Sequence, residues 1–72
     1  MSKTTEQIKQ IVALGGNVNI DGSSKTTEQL KQIALVALKS GTTLTIRNAG
    51  GKTTEQLKQI AVLLPNKITF EI

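Results

Sequence analysis

At 72 residues, with no cysteine, no histidine and Phe70 as its only aromatic residue, the chain excludes much before any motif is read. No disulfide or thiolate metal site is open to it, and the usual general base near neutral pH and stacking platforms for bases or sugars are missing. The net charge of +4, from nine Lys and Arg against five Asp and Glu, is spread along the chain, which reads as solvated helix faces and not as a nucleic-acid footprint.

The first helix opens at Lys3-Thr4-Thr5-Glu6-Gln7. Thr4 with Gln7 three residues on is the Thr-x-x-Gln form of the capping box, in which two orphan backbone donors are satisfied reciprocally. Glu6 sits in the first turn, where the helix dipole favours negative charge, and Lys9 follows at i+3. Ile8, Ile11 and Val12 define an apolar helical face, and Gly15-Gly16 ends it. A strand follows, with Val18 and Ile20 alternating with Asn17, Asn19 and Asp21. Asp21-Gly22-Ser23-Ser24 is a turn that leads into the next helix.

The second helix repeats the opening at Lys25, with Thr26 and Gln29 as the box and Glu28 three before Lys31. Leu30, Ile33, Ala34, Ala37 and Leu38 form its apolar face, and Ser40-Gly41 its stop. Ile33 to Leu38 is apolar almost all round, which predicts a helix flanked by two others. Leu44 and Ile46 then alternate with Thr43, Thr45 and Arg47, and Asn48-Ala49-Gly50-Gly51 leads on. The third helix begins at Lys52, with Thr53 and Gln56, Glu55 and Lys58, an apolar face of Leu57, Ile60, Ala61 and Leu64, and a stop at Pro65-Asn66. In the last strand Ile68, Phe70 and Ile72 alternate with Lys67, Thr69 and Glu71.

The string KTTEQ thus recurs at offsets of 22 and 27, and KTTEQLKQIA is identical at 25–34 and 52–61. Identity on solvent-facing positions points to a very recent duplication or to a designer copying a good helix start. One domain, 1–72, of three units is expected: 3–24, 25–51 and 52–72. Helix–strand alternation with short loops predicts parallel neighbours joined by right-handed crossovers. Every strand has one polar side, so a sheet covered on both faces is excluded. The expected fold class is therefore α/β, a two-layer αβαβαβ arrangement. Its three-stranded parallel sheet has order 1-2-3 and carries three helices on one face, like a short solenoid.

This layout resembles the leucine-rich-repeat class: parallel strands on a polar concave side, helices on the convex side, and a period in the twenties. Leu44-x-Ile46-x-Asn48 is similar to that family's L-x-L-x-x-N, with the asparagine one residue early. Val18-x-Ile20 and Ile68-x-Phe70 carry no such asparagine. The resemblance implies that the polar strand face is the natural binding surface.

Three features compete as functional. Gly51-Lys52-Thr53, after a strand and at a helix start, is similar to the end of a phosphate-binding G-x-x-x-x-G-K-[ST] loop. The first glycine of that loop falls on Ile46, and no Asp follows the later strand to hold Mg²⁺. A reused helix cap is the simpler reading, with weak anion binding as the alternative. The polar sheet face offers Asn19, Thr45, Arg47 and Thr69 as a binding surface, but with no aromatic anchor the simpler reading is a solubilising face that keeps a one-sided sheet from collapsing onto another. Asp21, Arg47 and Glu71 form a charge row across it if the register aligns. The third feature is the final strand, 67–72: its open edge or the helix faces offer a route to a homodimer that the fold does not require, with Lys67 and Glu71 as gatekeepers.

No enzyme chemistry is expected. Three of the five acids repeat one solvent-facing helix position, and the hydroxyls have no base beside them. The expected function is a designed or consensus repeat scaffold with no catalytic site, no cofactor, no metal, no required partner, and no nucleic-acid or membrane contact. The alternatives are a fragment of a natural repeat protein that binds through its sheet face, and weak phosphate binding at the third helix. No segment approaches the ~20 apolar residues of a membrane span. Met1-Ser2-Lys3-Thr4 enters a helix with no signal-peptide core, which leaves location open beyond the cytoplasm of an expressing cell.

Overall fold

A computed structural model describes residues 3–72. Met1 and Ser2, which the sequence places at the entry of the first helix, lie outside the described residues. The elements run α1 (Thr5–Ala13), β1 (Val18–Asp21), α2 (Thr27–Ser40), β2 (Leu44–Arg47), α3 (Thr54–Ala61) and β3 (Ile68–Phe70). Short 3₁₀ turns at Gly22–Ser24 and Ala49–Gly51 join each of the first two strands to the following helix.

Each helix starts where its threonine can accept. In α1, Thr4 Oγ1 accepts the Gln7 N–H at 3.2 Å and Gln7 Oε1 accepts the Thr4 N–H at 3.0 Å. The same reciprocal pair forms between Thr26 and Gln29 and between Thr53 and Gln56. Each such cap is worth about 1 kcal/mol. The Glu–Lys pairs at i, i+3 span 3.7, 4.0 and 3.9 Å with exposed carboxylates; pairs of that kind add at most a few tenths of a kcal/mol each.

The helix ends have two causes, a left-handed glycine after α1 and α2 and a proline after α3. At the end of α1, Gly15 adopts φ +97°, and the Gly15 and Gly16 N–H groups reach the Val12 and Ile11 carbonyls, the two bonds of a Schellman cap. Gly41, at φ +72°, ends α2 and lets the Thr42 N–H reach the Ala37 carbonyl. In α3 the sequence places Leu64 on the helical face and the stop at Pro65-Asn66, whereas the helix ends at Ala61. Pro65 has no N–H for the Ala61 carbonyl, and its ring would strike that carbonyl in a continued helix. Leu64 donates to Ala61 instead and is still fully buried, and Asn66 turns the chain at φ +65°.

The sheet is parallel throughout, in the order β1-β2-β3. Val18, Leu44 and Ile68 stand side by side, as do Ile20, Ile46 and Phe70. This inner face meets Ile8, Val12, Leu30, Ile33, Ala34, Ala37 and Ile60 from the helices and Leu64 from the turn after α3, and α2 packs between α1 and α3. The result is one layer of helices on one layer of strands, the α/β arrangement that the one-sided strand pattern requires. Fully burying one of these aliphatic side chains contributes about 1.5–3 kcal/mol.

Three expectations need correction. Leu38 and Ile11, placed on apolar faces by their spacing, are 53% and 42% exposed, and Leu35 is 44% exposed. A helix flanked by two neighbours in a two-layer fold still turns one side to solvent, so an all-round apolar sequence overstates its burial. The last strand ends at Phe70, and Ile72 is 88% exposed. Pairing continues one residue further through the backbone: the Glu71 N–H donates to Ile46 O and Glu71 O accepts from the Ala49 N–H, both at 2.9 Å. The charge row forms only in its register. Asp21 lies opposite Arg47, but among the described residues every ion pair is one of the three helical ones.

Candidate functional site

The candidate surface is built from the outward-pointing residues of the strands. The register lays Asn19, Thr45 and Thr69 in one row across the sheet and puts Asp21 beside Arg47 in the next. Period-two alternation sends these side chains away from the helices. The polar residues are then used mainly to join one unit to its neighbour. Arg47 Nη1 donates to both the Asn19 carbonyl and Asn19 Oδ1, each at 3.1 Å. The Asn48 amide donates to Asp21 Oδ1 at 3.2 Å, and Asn17 Oδ1 accepts the Thr43 N–H at 2.9 Å. Two of the four candidates, Asn19 and Arg47, are therefore engaged with each other, while Thr45 and Thr69 stand beside them in the open row.

Asp21 closes the turn that follows β1. Its Oδ1 accepts from both the hydroxyl and the N–H of Ser23, at 2.7 and 3.0 Å. Hydrogen bonds from the Ser23 hydroxyl, the Asn48 amide and the Ser23 N–H hold the Asp21 carboxyl below the ordinary aspartate value; slight burial opposes them and the Arg47 charge adds a small push the same way. A carboxylate held ionised in this way serves as a turn cap and is poorly suited to accept a proton near neutral pH.

At the third helix, Gly51, Lys52 and Thr53 lie together as the phosphate-loop likeness places them, but the Lys52 and Thr53 N–H groups already donate within the chain, to the Ala49 carbonyl and to Gln56 Oε1. Gln56 fills the cap of Thr53, and the Lys52 ammonium donates to the Lys25 carbonyl at 2.9 Å. The second unit repeats this: the Lys25 ammonium donates to the Lys3 carbonyl at 2.8 Å. Lys25 and Lys52, counted from sequence among the solvated lysines, are thus cross-unit stitches. Their identical place in the repeat is the only sequence signal for this role, because a lysine before a helix cap gives no indication of which carbonyl it will find.

Set against protein-family models, curated proteins and solved structures, the chain matches none. Its chemistry therefore rests on its own residues. Among the described residues, no three Asp or Glu side chains converge as metal ligands would. No described helix is long and apolar enough to cross a membrane. An open groove of about 240 Å³ lies at the outer side of β1, bordered by Ile8, Ile11, Val18 and Ile20 with Lys3 and Lys25 at its rim. Its one carboxylate, Asp21, is already held by the turn.

Proposed function

We propose that the chain is a reiterated structural scaffold, a short solenoid-like stack of helix–strand units in the layout of the leucine-rich-repeat class, and not an enzyme. The observation that carries this reading is the use of the repeated motif. In every copy the threonine and glutamine cap their own helix, and the lysines of the second and third copies each bind the preceding copy. Polar groups that serve catalysis or binding are held in readiness for a ligand; these are spent on the fold. A local rule that satisfies its own backbone and docks on its neighbour is the form that a designed or consensus repeat takes.

A second copy of residues 25–51, inserted between Gly51 and Lys52, tests the reading. The inserted unit brings its own cap, its own strand and its own lysine stitch. The four-unit chain is expected to fold cooperatively with a higher urea midpoint and a larger unfolding slope, because nearest-neighbour interfaces add in repeat proteins. An unfolded or aggregated four-unit chain would refute the scaffold rule.

A further inference from the structure

Inside the chain, one unit meets the next in the same way twice. Strands pair in parallel and in register, the apolar inner faces join, and a lysine of the later unit donates to the lysine carbonyl of the earlier one. Each end of the molecule carries the unused half of that junction. At the β1 end, Val18 is half-buried and Ile11 exposed beside the open groove, and the Lys3 ammonium has no partner among the described residues. At the β3 end, Leu57, Ile68 and Phe70 are half-buried, and the Lys52 carbonyl occupies the place of the two acceptors already used. The backbone is open there as well. The Leu44 N–H donates to Lys67 O and the Glu71 N–H to Ile46 O, so the intervening Ile68 and Phe70 turn their own N–H and C=O groups outward, as alternation along a parallel ladder requires.

We propose that these two ends are complementary, and that a second copy of this chain docks head to tail with its β1 edge on β3 and its Lys3 on the Lys52 carbonyl. The register of the internal junctions, carried one step further, sets Val18 beside Ile68, Asn19 beside Thr69 and Ile20 beside Phe70. It also sets Asp21 beside Glu71. The first internal junction places Asp21 opposite Arg47, whereas the outer one faces two carboxylates. Like charges directly opposite on paired strands are destabilising, so the contact is weak at low salt and strengthens as salt screens it. Because the pairing is heterologous, it continues as an open stack and does not close as a two-fold dimer.

The inference rests on the scaffold reading but fails separately from it, since the four-unit chain reports folding and the following experiment reports contact between molecules. The chain contains no cysteine, so single thiols can be placed at will. Asn19→Cys and Thr69→Cys variants, both at exposed sites, are treated with a short thiol–thiol cross-linker at millimolar concentration in molar salt, alone and mixed. Head-to-tail docking gives dimers in the mixture, several-fold above either variant alone, and a lower yield at low salt. Dimers formed as readily by Thr69→Cys alone would overturn the proposal in favour of a two-fold β3–β3 contact. Absence of dimers in every sample would overturn it as well. Asn17→Cys with Lys67→Cys repeats the test one row away, in case replacing Asn19 disturbs Arg47. Thr45→Cys on the central strand must stay monomeric, and cross-linking there would mean random collision.

Discussion

At the residue scale, the threonines and the lysines of the repeated motif differ in how far along the chain their partners lie. Thr4, Thr26 and Thr53 all cap, and that role is legible from the glutamine three residues on. Lys25 and Lys52 bind carbonyls 22 and 27 residues back in the chain, a role that only the stacking of units creates. Asp21 gives a testable consequence. Its carboxyl is held low in the folded chain by Ser23 and Asn48, so its ionised form stabilises the native state. That contribution is present in full above the ordinary aspartate value of 3.8 and is lost as the pH falls through the lowered native value. Asp21→Ala is therefore expected to lower the urea midpoint at pH 7, with the gap to the parent closing as both are taken to acid. A gap that persists unchanged at the acid end would show that the carboxylate charge is not what holds the turn.

At the element scale, the boundaries follow backbone chemistry more closely than side-chain periodicity. The apolar spacing carries α3 on to Leu64, yet the α-helix ends at Ala61 and the chain before Pro65 tightens into i→i−3 bonds, Leu63 to Ile60 and Leu64 to Ala61. The spacing on α2 counts Leu38 as core, yet the helix lies in an outer layer and exposes it. Two glycines separate conformation from space. Gly41 has open room around its Cα but sits at φ +72°, so Gly41→Ala is expected to cost about 1 kcal/mol through the left-handed backbone alone. A Cβ on Gly22 would come within 2.7 Å of Ile46 Cγ2 and 3.1 Å of the Arg47 carbonyl. Gly22 is buried, and the 3₁₀ turn that it opens packs against β2. Gly22→Ala is expected to cost about 1–3 kcal/mol, as overpacking does. Gly51→Ala, with neither constraint, should be close to neutral. Chemical denaturation of the three variants checks the order; equal losses at Gly41 and Gly51 would remove the backbone explanation.

At the scale of the whole molecule, a 72-residue chain has little stability to spare, because a core of this size supplies only about 3–5 kcal/mol net. Ile46 stands at the centre of the sheet with no exposed surface. Ile46→Ala is expected to cost about 2–5 kcal/mol, enough to unfold most of the population at 25 °C, which circular dichroism would report as lost cooperativity. Leu35→Ala, on the outer side of α2, should change stability by less than about 1 kcal/mol. A comparable loss at Leu35 would mean that its face is covered by another molecule in solution.

The sequence alone determines the local units. Capping boxes, apolar periodicity and one-sided strands each depend on residues within a few positions of one another, and the polar side of every strand settles that helices cover a single face. Even the strand order follows, since a sheet with one wet face leaves the 1-2-3 arrangement. Only the tertiary structure decides which neighbours the repeated residues meet. The Asp21–Arg47 alignment, the grip of Arg47 on Asn19, the two lysine stitches and the exposure of Leu35 and Leu38 all depend on how one unit lies over the next. The physical reason is separation along the chain: contacts spanning 22 to 28 residues are fixed by packing and register, and no pattern of nearby side chains encodes them.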